Sequence, residues 1–283
     1  MVVPIIILNY NSSADCRNCI SSLKSQEGVD TEIIVVDNNS NAKDRRQLEE
    51  ICFQDDCILL QCDTNGGYNA GNNVGLRYAI QNGYDFALIA NPDMIFPQKN
   101  YLAELCKAIL ADNNIAVCGS DIITPDGFHQ NPLQEDDREE ENFKWLMSLF
   151  KEKDPYCFID NHHFSHFCNK VSGCCFIVRL EFVEEIGYFD EQSFLYCEEA
   201  ILSKQVKRSG KWKEYYLSTV QAVHRHVMNE KGNPVRRHKQ WQRSRMYYIR
   251  NYGDEGWLRK AISSVSFCLY IRSLILLSFI KRI

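Results

Sequence analysis

No internal repeat and no low-complexity linker interrupts this chain, which argues against solenoid and strung-module architectures. No charged segment followed by a cleavable apolar stretch opens it, so a secretory signal is not expected. Thirteen cysteines are present, but their spacing is neither even nor regular, and reduced cytosolic thiols are the better reading. Cys16 and Cys19 form a Cys-x-x-Cys pair without the second pair that would complete a zinc site. Their flank, Asn11-Ser12-Ser13-Ala14-Asp15, reads as a helix cap rather than a redox centre. Cys157, His162, His163, His166 and Cys168 have the residue types of a zinc cluster but not its spacing. The tail is greasy, yet only 11 residues separate Lys260 from Arg272, too few to span a bilayer.

What is present suits one large α/β domain with an appendage: 283 residues, 45% hydrophobic and 24% charged. The formal net charge of −5 is unevenly spread. Arg236 to Ile283 carry 11 Lys/Arg against Asp254 and Glu255, a +9 tail on a −14 body. Such a tail suggests an anionic partner, nucleic acid or an anionic membrane face. Arg236, Arg237, Arg243 and Arg245, with Trp241, Tyr247 and Tyr248, have RNA-binding residue types, but no nucleic-acid module accompanies them. A place near a diphosphate or against an anionic lipid acceptor fits them better, and no nucleic-acid partner is expected. Leu269 through Ile280, followed by Lys281 and Arg282, fits an interfacial helix. Packing on the domain or on a partner subunit is the alternative.

Strand and helix patterns alternate over the first 120 residues. Short apolar runs at 3–8, 32–36, 57–61, 85–90 and 115–119 read as strands. Helical stretches follow at about 13–26, 43–53, 69–81 and 102–111. This alternation implies βαβ units and a mostly parallel sheet. Residues 121–170 read as loop and irregular helix, with an acidic cluster at Glu135 to Glu141. A strand at 173–178, a helix at 198–209 ended by Gly210, and one or two strands within 212–223 complete the body.

Four polar clusters sit where strands end: Asn9/Asn11, Asp37/Asn38, Asn65-Gly66-Gly67 and Asn91/Asp93. In a parallel sheet they converge on one edge, where α/β proteins bind ligands. Asn-Pro-Asp is good turn chemistry, but the run Ala87-Leu88-Ile89-Ala90 before it delivers a carboxylate to a strand tip. A carboxylate beside an amide there suits a hard divalent cation and a phosphorylated ligand.

With these motifs the chain resembles the family 2 glycosyltransferases, inverting enzymes of the GT-A fold. The resemblance lies in Ile6-Ile7-Leu8-Asn9-Tyr10-Asn11, in Ile34-Val35-Val36-Asp37-Asn38-Asn39-Ser40, in Asn65-Gly66-Gly67 with the helix that follows, and in Asn91-Pro92-Asp93. It continues at Ser172-Gly173-Cys174-Cys175, at Gly187-Tyr188-Phe189-Asp190-Glu191 and at Phe194 to Glu199, covering roughly residues 3–252. Asn-Pro-Asp looks most like the bacterial rhamnosyltransferase-type branch.

The resemblance implies roles. Asn9 and Asn11 would line the nucleotide pocket, with Asp37 and Asn38 on the base and ribose. Asn65, Gly66 and Gly67 would allow close backbone approach to the donor, and Asn69 and Asn72 would cap the next helix or touch the sugar nucleotide. Asp93 would bind Mg²⁺ or Mn²⁺ bridging the diphosphate, with His224, or its neighbour His226, completing the metal site. Asn91 stands where the family commonly has a second acid, so it would offer a carbonyl oxygen or only orient the donor. Glu199 would be the general base, with Glu198 as second choice. Arg245 would lie near the diphosphate. Phe158, Phe164 and Phe167 fall in the region that often shapes the acceptor pocket.

The expected fold is therefore α/β, GT-A (Rossmann-like), with a mostly parallel central sheet flanked by helices and a C-terminal helical tail. Residues 1–252 would form the glycosyltransferase domain, with a nucleotide-sugar half at about 1–120 and an acceptor half at about 121–252. Residues 253–283 would form a basic, apolar, membrane-associated helix. The expected activity is metal-dependent inverting transfer from a nucleoside-diphosphate sugar, dTDP-rhamnose before UDP-hexoses, to a glycan or lipid-linked glycan. The expected place is the cytoplasm, at the inner face of a bacterial membrane. The rival reading is a catalytically silent nucleotide-sugar-binding or scaffold subunit, motivated by Asn91 and by Glu199 in place of the more usual Asp.

Overall fold

The computed structural model describes residues 2–134, 160–225, 233–254 and 256–280. Its first half runs β1 (Val2–Asn9), α1 (Ser13–Lys24), β2 (Asp30–Asp37), α2 (Ala42–Gln54), β3 (Ile58–Gln61), α3 (Tyr68–Gln81), β4 (Phe86–Ala90), β5 (Met94–Ile95), α4 (Tyr101–Ala111) and β6 (Ile115–Ile123). The second half adds β7 (His166–Cys168), β8 (Cys175–Arg179), α5 (Leu180–Glu185), α6 (Glu198–Ser209), β9 (Lys213–His224), α7 (Pro234–Asn251) and α8 (Trp257–Ile280). The acidic cluster at 135–141 falls outside the described residues, as do Cys157, Phe158 and His226.

One sheet runs in the order β3-β2-β1-β4-β8-β6-β9-β5, with β7 paired to β9. The ladders among β3, β2, β1 and β4 are parallel, as the alternation predicts. Strand β8 then enters antiparallel to both β4 and β6, while β6 and β9 are parallel to each other, so the second half is mixed. This mixing keeps the functional ends together. The C-terminal ends of β1, β2, β3, β4, β6 and β9 and the N-terminal end of β8 share one rim. Register shows it directly: Asn9 pairs with Asp37, Ile7 with Ala90, and Ala90 with Cys175.

Both sheet faces are covered, which is why the parallel strands read as continuous apolar runs. Ile5, Ile7 and Val35 pack with Ile20, Leu23 and Leu105 on the face of α1, α2 and α4. Ile6, Ile34 and Val36 pack with Leu76, Phe182 and Val206 on the other. Helix α2 is capped by Asn41, whose side chain accepts from the Lys43 and Asp44 amides at 3.0 and 3.1 Å. Helix α6 ends at Gly210, φ +70°, the C-terminal stop expected from sequence.

Helix α7 lies against α6, burying Tyr248, Ile249 and Tyr252 with Ala200 and Ile201. The hydroxyls of Tyr247 and Tyr252 both donate to Asp190 at 2.6 Å. The tail is thus partly a domain element: Phe267, Tyr270 and Ile271 of α8 pack with Trp241 of α7. Its other face stays open, with Trp257 81%, Val265 61% and Leu276 62% exposed. By length and composition alone, Trp257–Leu277 is long and apolar enough to cross a membrane, because the helix continues through Arg272.

Gly67 begins α3 at φ +92°, and a Cβ there would collide with the Phe194 carbonyl. Gly67→Ala should cost about 2 kcal/mol or more, combining left-handed strain with a backbone clash. Urea denaturation measures this; unchanged stability would contradict the close approach.

Candidate active site

The β1 and β2 tips form a closed polar knot. Asn9 has no exposed surface, so its amide must be satisfied inside the protein. It donates to Asp44 at 2.9 Å, Ser40 at 3.0 Å and Asp37 at 3.4 Å, and accepts from the Ser12 hydroxyl at 3.0 Å. Asp37, equally buried, pairs with Arg45 at 3.1 Å. Burial would raise the Asp44 carboxyl, but hydrogen bonds from Asn9, Ser13 and Ser40 hold it below its usual range. Both side chains are engaged within the fold, at the strand tips where the nucleotide pocket is expected. Asn11 is exposed at φ +57° and accepts from the Asn41 amide at 2.9 Å.

Asn38 stitches the next loop to this knot. It donates to Asn65 Oδ1 and to the Gly67 carbonyl, both at 3.0 Å, and accepts from the Gly66 amide at 3.2 Å. The asparagines of α3 are latches. Asn69 donates to the Asp190 carbonyl at 2.8 Å, and Asn73 donates to the Phe189 carbonyl at 2.8 Å and accepts its amide at 3.1 Å. Asn72 is buried and donates to the Tyr68 carbonyl at 3.1 Å. Thus α3 fixes the loop that leads into α6.

That loop delivers the acidic pair under tension. Tyr196 and Cys197 both adopt positive φ, +74° and +66°, immediately before Glu198. Consecutive non-glycine residues in this region store strain of order 1–3 kcal/mol each, which the latches hold in place. Burial first, and the adjacent Glu199 second, push the Glu198 carboxyl up to about 8. Its Oε2 makes no hydrogen bond among the described residues. Glu199 Oε1 accepts from the Gly173 amide at 3.3 Å.

Residues 171–174 receive three side-chain acceptors in a row. The Val171 amide donates to Glu214 at 2.9 Å, the Ser172 amide to Asn131 at 2.9 Å and the Gly173 amide to Glu199. Tyr68 donates its hydroxyl to the Gly173 carbonyl, and the Asn91 amide donates to the Cys174 carbonyl at 2.8 Å. This segment therefore joins the acidic pair to the Asn-Pro-Asp turn. No local pattern marks Asn131, and the one sequence signal for Glu214 is a charged residue at an inward position of an apolar strand.

Asp93 meets His224 across the β5–β9 pairing, with Oδ2 3.3 Å from Nε2. The other ring nitrogen of His224 lies 2.8 Å from Gln130 Oε1, which orients the ring. Burial works against a charged imidazole here, but hydrogen bonds to Asp93 and Cys174 outweigh it and push His224 up to about 10. Burial, then the neighbouring Asp93, raises the Asp15 carboxyl, which places that acid within electrostatic reach. Among the described residues no group of three or more His, Cys, Asp or Glu is arranged to hold a metal. Asp93 supplies one carboxylate, the kind of ligand that Mg²⁺ takes together with phosphate oxygens and water, and His224 would join it only on giving up its proton.

Arg245 is buried in α7, its guanidinium 5.1 Å from the centre of the Tyr248 ring. Cys16 and Cys19 are buried in α1, and burial raises both thiols well above their usual value, unlike a redox or zinc pair. His162 stacks on His129 at 3.8 Å and lies 4.2 Å from His163, lining a pocket with Gly127, Gln134 and Asp160.

The family model for glycosyl transferase family 2 matches residues 5–187. A hexosyltransferase of low-salt glycan biosynthesis, Agl10 of Haloferax volcanii, is 29% identical over 211 residues, 73% of this chain. The chain spans 62% of that relative's length. Two solved structures share the fold. A mannosyltransferase from Pyrobaculum calidifontis, in complex with GDP-Man and Mn²⁺, has a TM-score of 0.58 at 15% identity, over 94% of this chain and 69% of that one. S. aureus TarS 1-349, in complex with UDP-GlcNAc, has a TM-score of 0.55 at 18% identity, over 96% and 73%.

Glu198 and Glu214 each sit near 8 in the folded chain against 4.5 for a free glutamate. The folded state then holds protons that the unfolded state has lost, so stability falls as pH rises from about 4.5 to about 8. Glu214→Gln, which keeps an acceptor for Val171, should flatten that decline in urea denaturation series. An unchanged slope would contradict a protonated Glu214.

Proposed function

This chain belongs to glycosyl transferase family 2, and from that premise we propose that it transfers a sugar, with inversion, from a nucleoside-diphosphate sugar to a hydroxyl of a growing glycan. The observation that carries the reading is the 171–174 segment, whose Gly173 amide holds Glu199 and whose next residue, Cys174, holds Asn91 at the head of the turn that carries Asp93 to His224. A transfer site needs these two chemistries side by side: one for the leaving diphosphate, one for the acceptor proton.

Asp93 and His224 are the residues suited to hold Mg²⁺ or Mn²⁺. When bound, that ion offsets the charge growing on the departing nucleoside diphosphate. Asn91, with one charge fewer than an aspartate, orients rather than neutralises. Glu199 is the proposed base. Its Oε1 is fixed by the Gly173 amide, leaving Oε2 to take the proton of the attacking hydroxyl. Glu198, raised to about 8, is mostly protonated at neutral pH and so is the weaker acceptor. Asn9, Asp37 and Asn38 act by shaping the rim, and Asn65, Gly66 and Gly67 offer the donor backbone. Arg245 acts through α7, which braces the loop before Glu198.

The Asn-Pro-Asp turn favours dTDP-rhamnose as donor, and the named relatives add UDP- and GDP-sugars to the choices. The open face of α8 and the basic residues of α7 and α8 support peripheral binding at the inner face of a bacterial membrane, with a lipid-linked glycan as acceptor.

Asp93→Asn should abolish the Mn²⁺-dependent part of donor binding while the fold persists. Equal donor affinity with and without Mn²⁺ in the wild type would refute the metal assignment. Donor turnover should fall at least about 100-fold in Glu199→Gln with binding retained, in line with the loss of a general base. A larger loss in Glu198→Gln would reverse the assignment. Donor binding without any turnover by wild type would favour the silent subunit. For the tail, Val265→Asp with Leu276→Asp should lower co-sedimentation with anionic lipid vesicles; no binding by wild type removes the membrane proposal.

A further inference from the structure

Helix α2 ends in a turn that places two thiols together. The Cys57 amide donates to the Cys52 carbonyl at 2.9 Å, five residues back, and Asp56 between them sits at φ +51°. This is the Schellman arrangement, in which the third-last helical residue and the second residue past the cap bring their side chains into contact. That contact is usually apolar; here both partners are cysteines. Cys52 is buried at 3% exposure, while Cys57 is partly open to solvent. Both are free thiols in this structure.

We propose that Cys52 and Cys57 form a reversible redox pair in which Cys57 is the attacking thiol and Cys52 the resolving one. The oxidant is a small-molecule disulfide of the glutathione class. The Cys57 thiolate attacks one sulfur of that disulfide and releases one small thiol, leaving a mixed disulfide. The Cys52 sulfur, its proton lost to water, then attacks Cys57 and releases the second small thiol. Two electrons pass from the protein dithiol to the small disulfide, and the chain keeps an internal 52–57 bond. Excess small thiol reverses both steps.

The surroundings divide the labour between the two sulfurs. A hydrogen bond from Cys52 first, against the opposing effect of burial, and then the Lys24 ammonium lower the Cys57 thiol. Lys24 is held there by its ion pair with Asp55 at 3.1 Å. The same hydrogen bond, with burial, raises Cys52. A low thiol with access to solvent is the reactive kind, and a buried neighbour in contact is the kind that resolves it. Cys16 and Cys19, wholly buried in α1, lack both features. The pair closes the far end of the helix whose first turn carries Asp44 and Arg45, the partners of Asn9 and Asp37. Oxidation would therefore brace the donor rim from behind without touching the acidic pair.

The test uses the reduced full-length chain exposed to oxidised glutathione, with remaining thiols alkylated and the chain cleaved before Asp55, between the two cysteines. The 52- and 57-bearing fragments should stay joined until a reductant is added, and glutathione should react at Cys57 roughly tenfold faster than at the buried thiols. Cys52→Ser should stop at a stable glutathione adduct on Cys57, and Cys57→Ser should form neither product. If both residues of the wild type remain alkylatable, or Cys57 bonds to Cys16 instead, the assignment is overturned. The wild-type measurement decides this even if a variant fails to fold.

Discussion

Three consecutive backbone amides, at Val171, Ser172 and Gly173, each donate to a side-chain oxygen from a different part of the chain. The acceptors come from β9, from the loop after β6 and from the first turn of α6. A hydrogen bond to a neutral acceptor contributes about 1 kcal/mol and one to a charged acceptor about 1.5–3 kcal/mol, while a buried amide left without a partner costs about 1–3 kcal/mol. The segment is therefore pinned in one conformation. The rest of the rim is referenced to it: Asn91 through the Cys174 carbonyl, Tyr68 through the Gly173 carbonyl, and His224 through the Cys174 thiol. Loss of any one acceptor would loosen both ends of the site together.

This pinning carries an electrostatic cost. Glu198, Glu199 and Glu214 crowd around one short stretch, and two of them are driven to hold protons near neutrality by burial. Asp93 lies across the rim with its carboxylate 3.3 Å from the His224 imidazole. The result is a rim with a neutralised carboxylate–imidazole pair on one side and partly protonated carboxyls on the other. The positive φ angles at Tyr196 and Cys197 add backbone strain at the same place. Asn69 and Asn73 on α3, and Tyr247 and Tyr252 on α7 through Asp190, hold the strained loop. A site that concentrates like charge and strain while its supports lie in distant elements is the usual signature of function over stability.

Much of this was legible in the chain itself. The strands and helices of the first half follow from apolar period and from turn residues, and their edges differ by a residue or two, except that β6 runs four residues farther, to Ile123. The convergence of Asn9, Asp37, Asn65 and Asp93 on one rim followed from parallel topology alone. What the linear pattern hid is direction. A polar residue at a strand tip can face solvent or turn inward, and Asn9 and Asp37 turn inward because α2 brings Asp44 and Arg45 to meet them. Strands β5 and β7 are too short to show a period, and β8 reverses direction for reasons that lie in its partners. Asn131 and Glu214 act on residues 41 and 43 positions away, a relation no local pattern reveals. The tail read as membrane-facing on composition; Trp241 claims part of it for the domain.

The central claim is that this rim binds a nucleoside diphosphate together with a divalent cation. Thermal denaturation of the full chain with UDP, GDP and dTDP, each with and without Mn²⁺, tests it most directly. A ligand that binds only the folded state at 100 times its Kd adds about 2.7 kcal/mol, a readily measured rise in Tm. The expected result is a rise with one nucleotide that requires Mn²⁺ and vanishes with chelator. No rise with any of the three, with or without the metal, would contradict it.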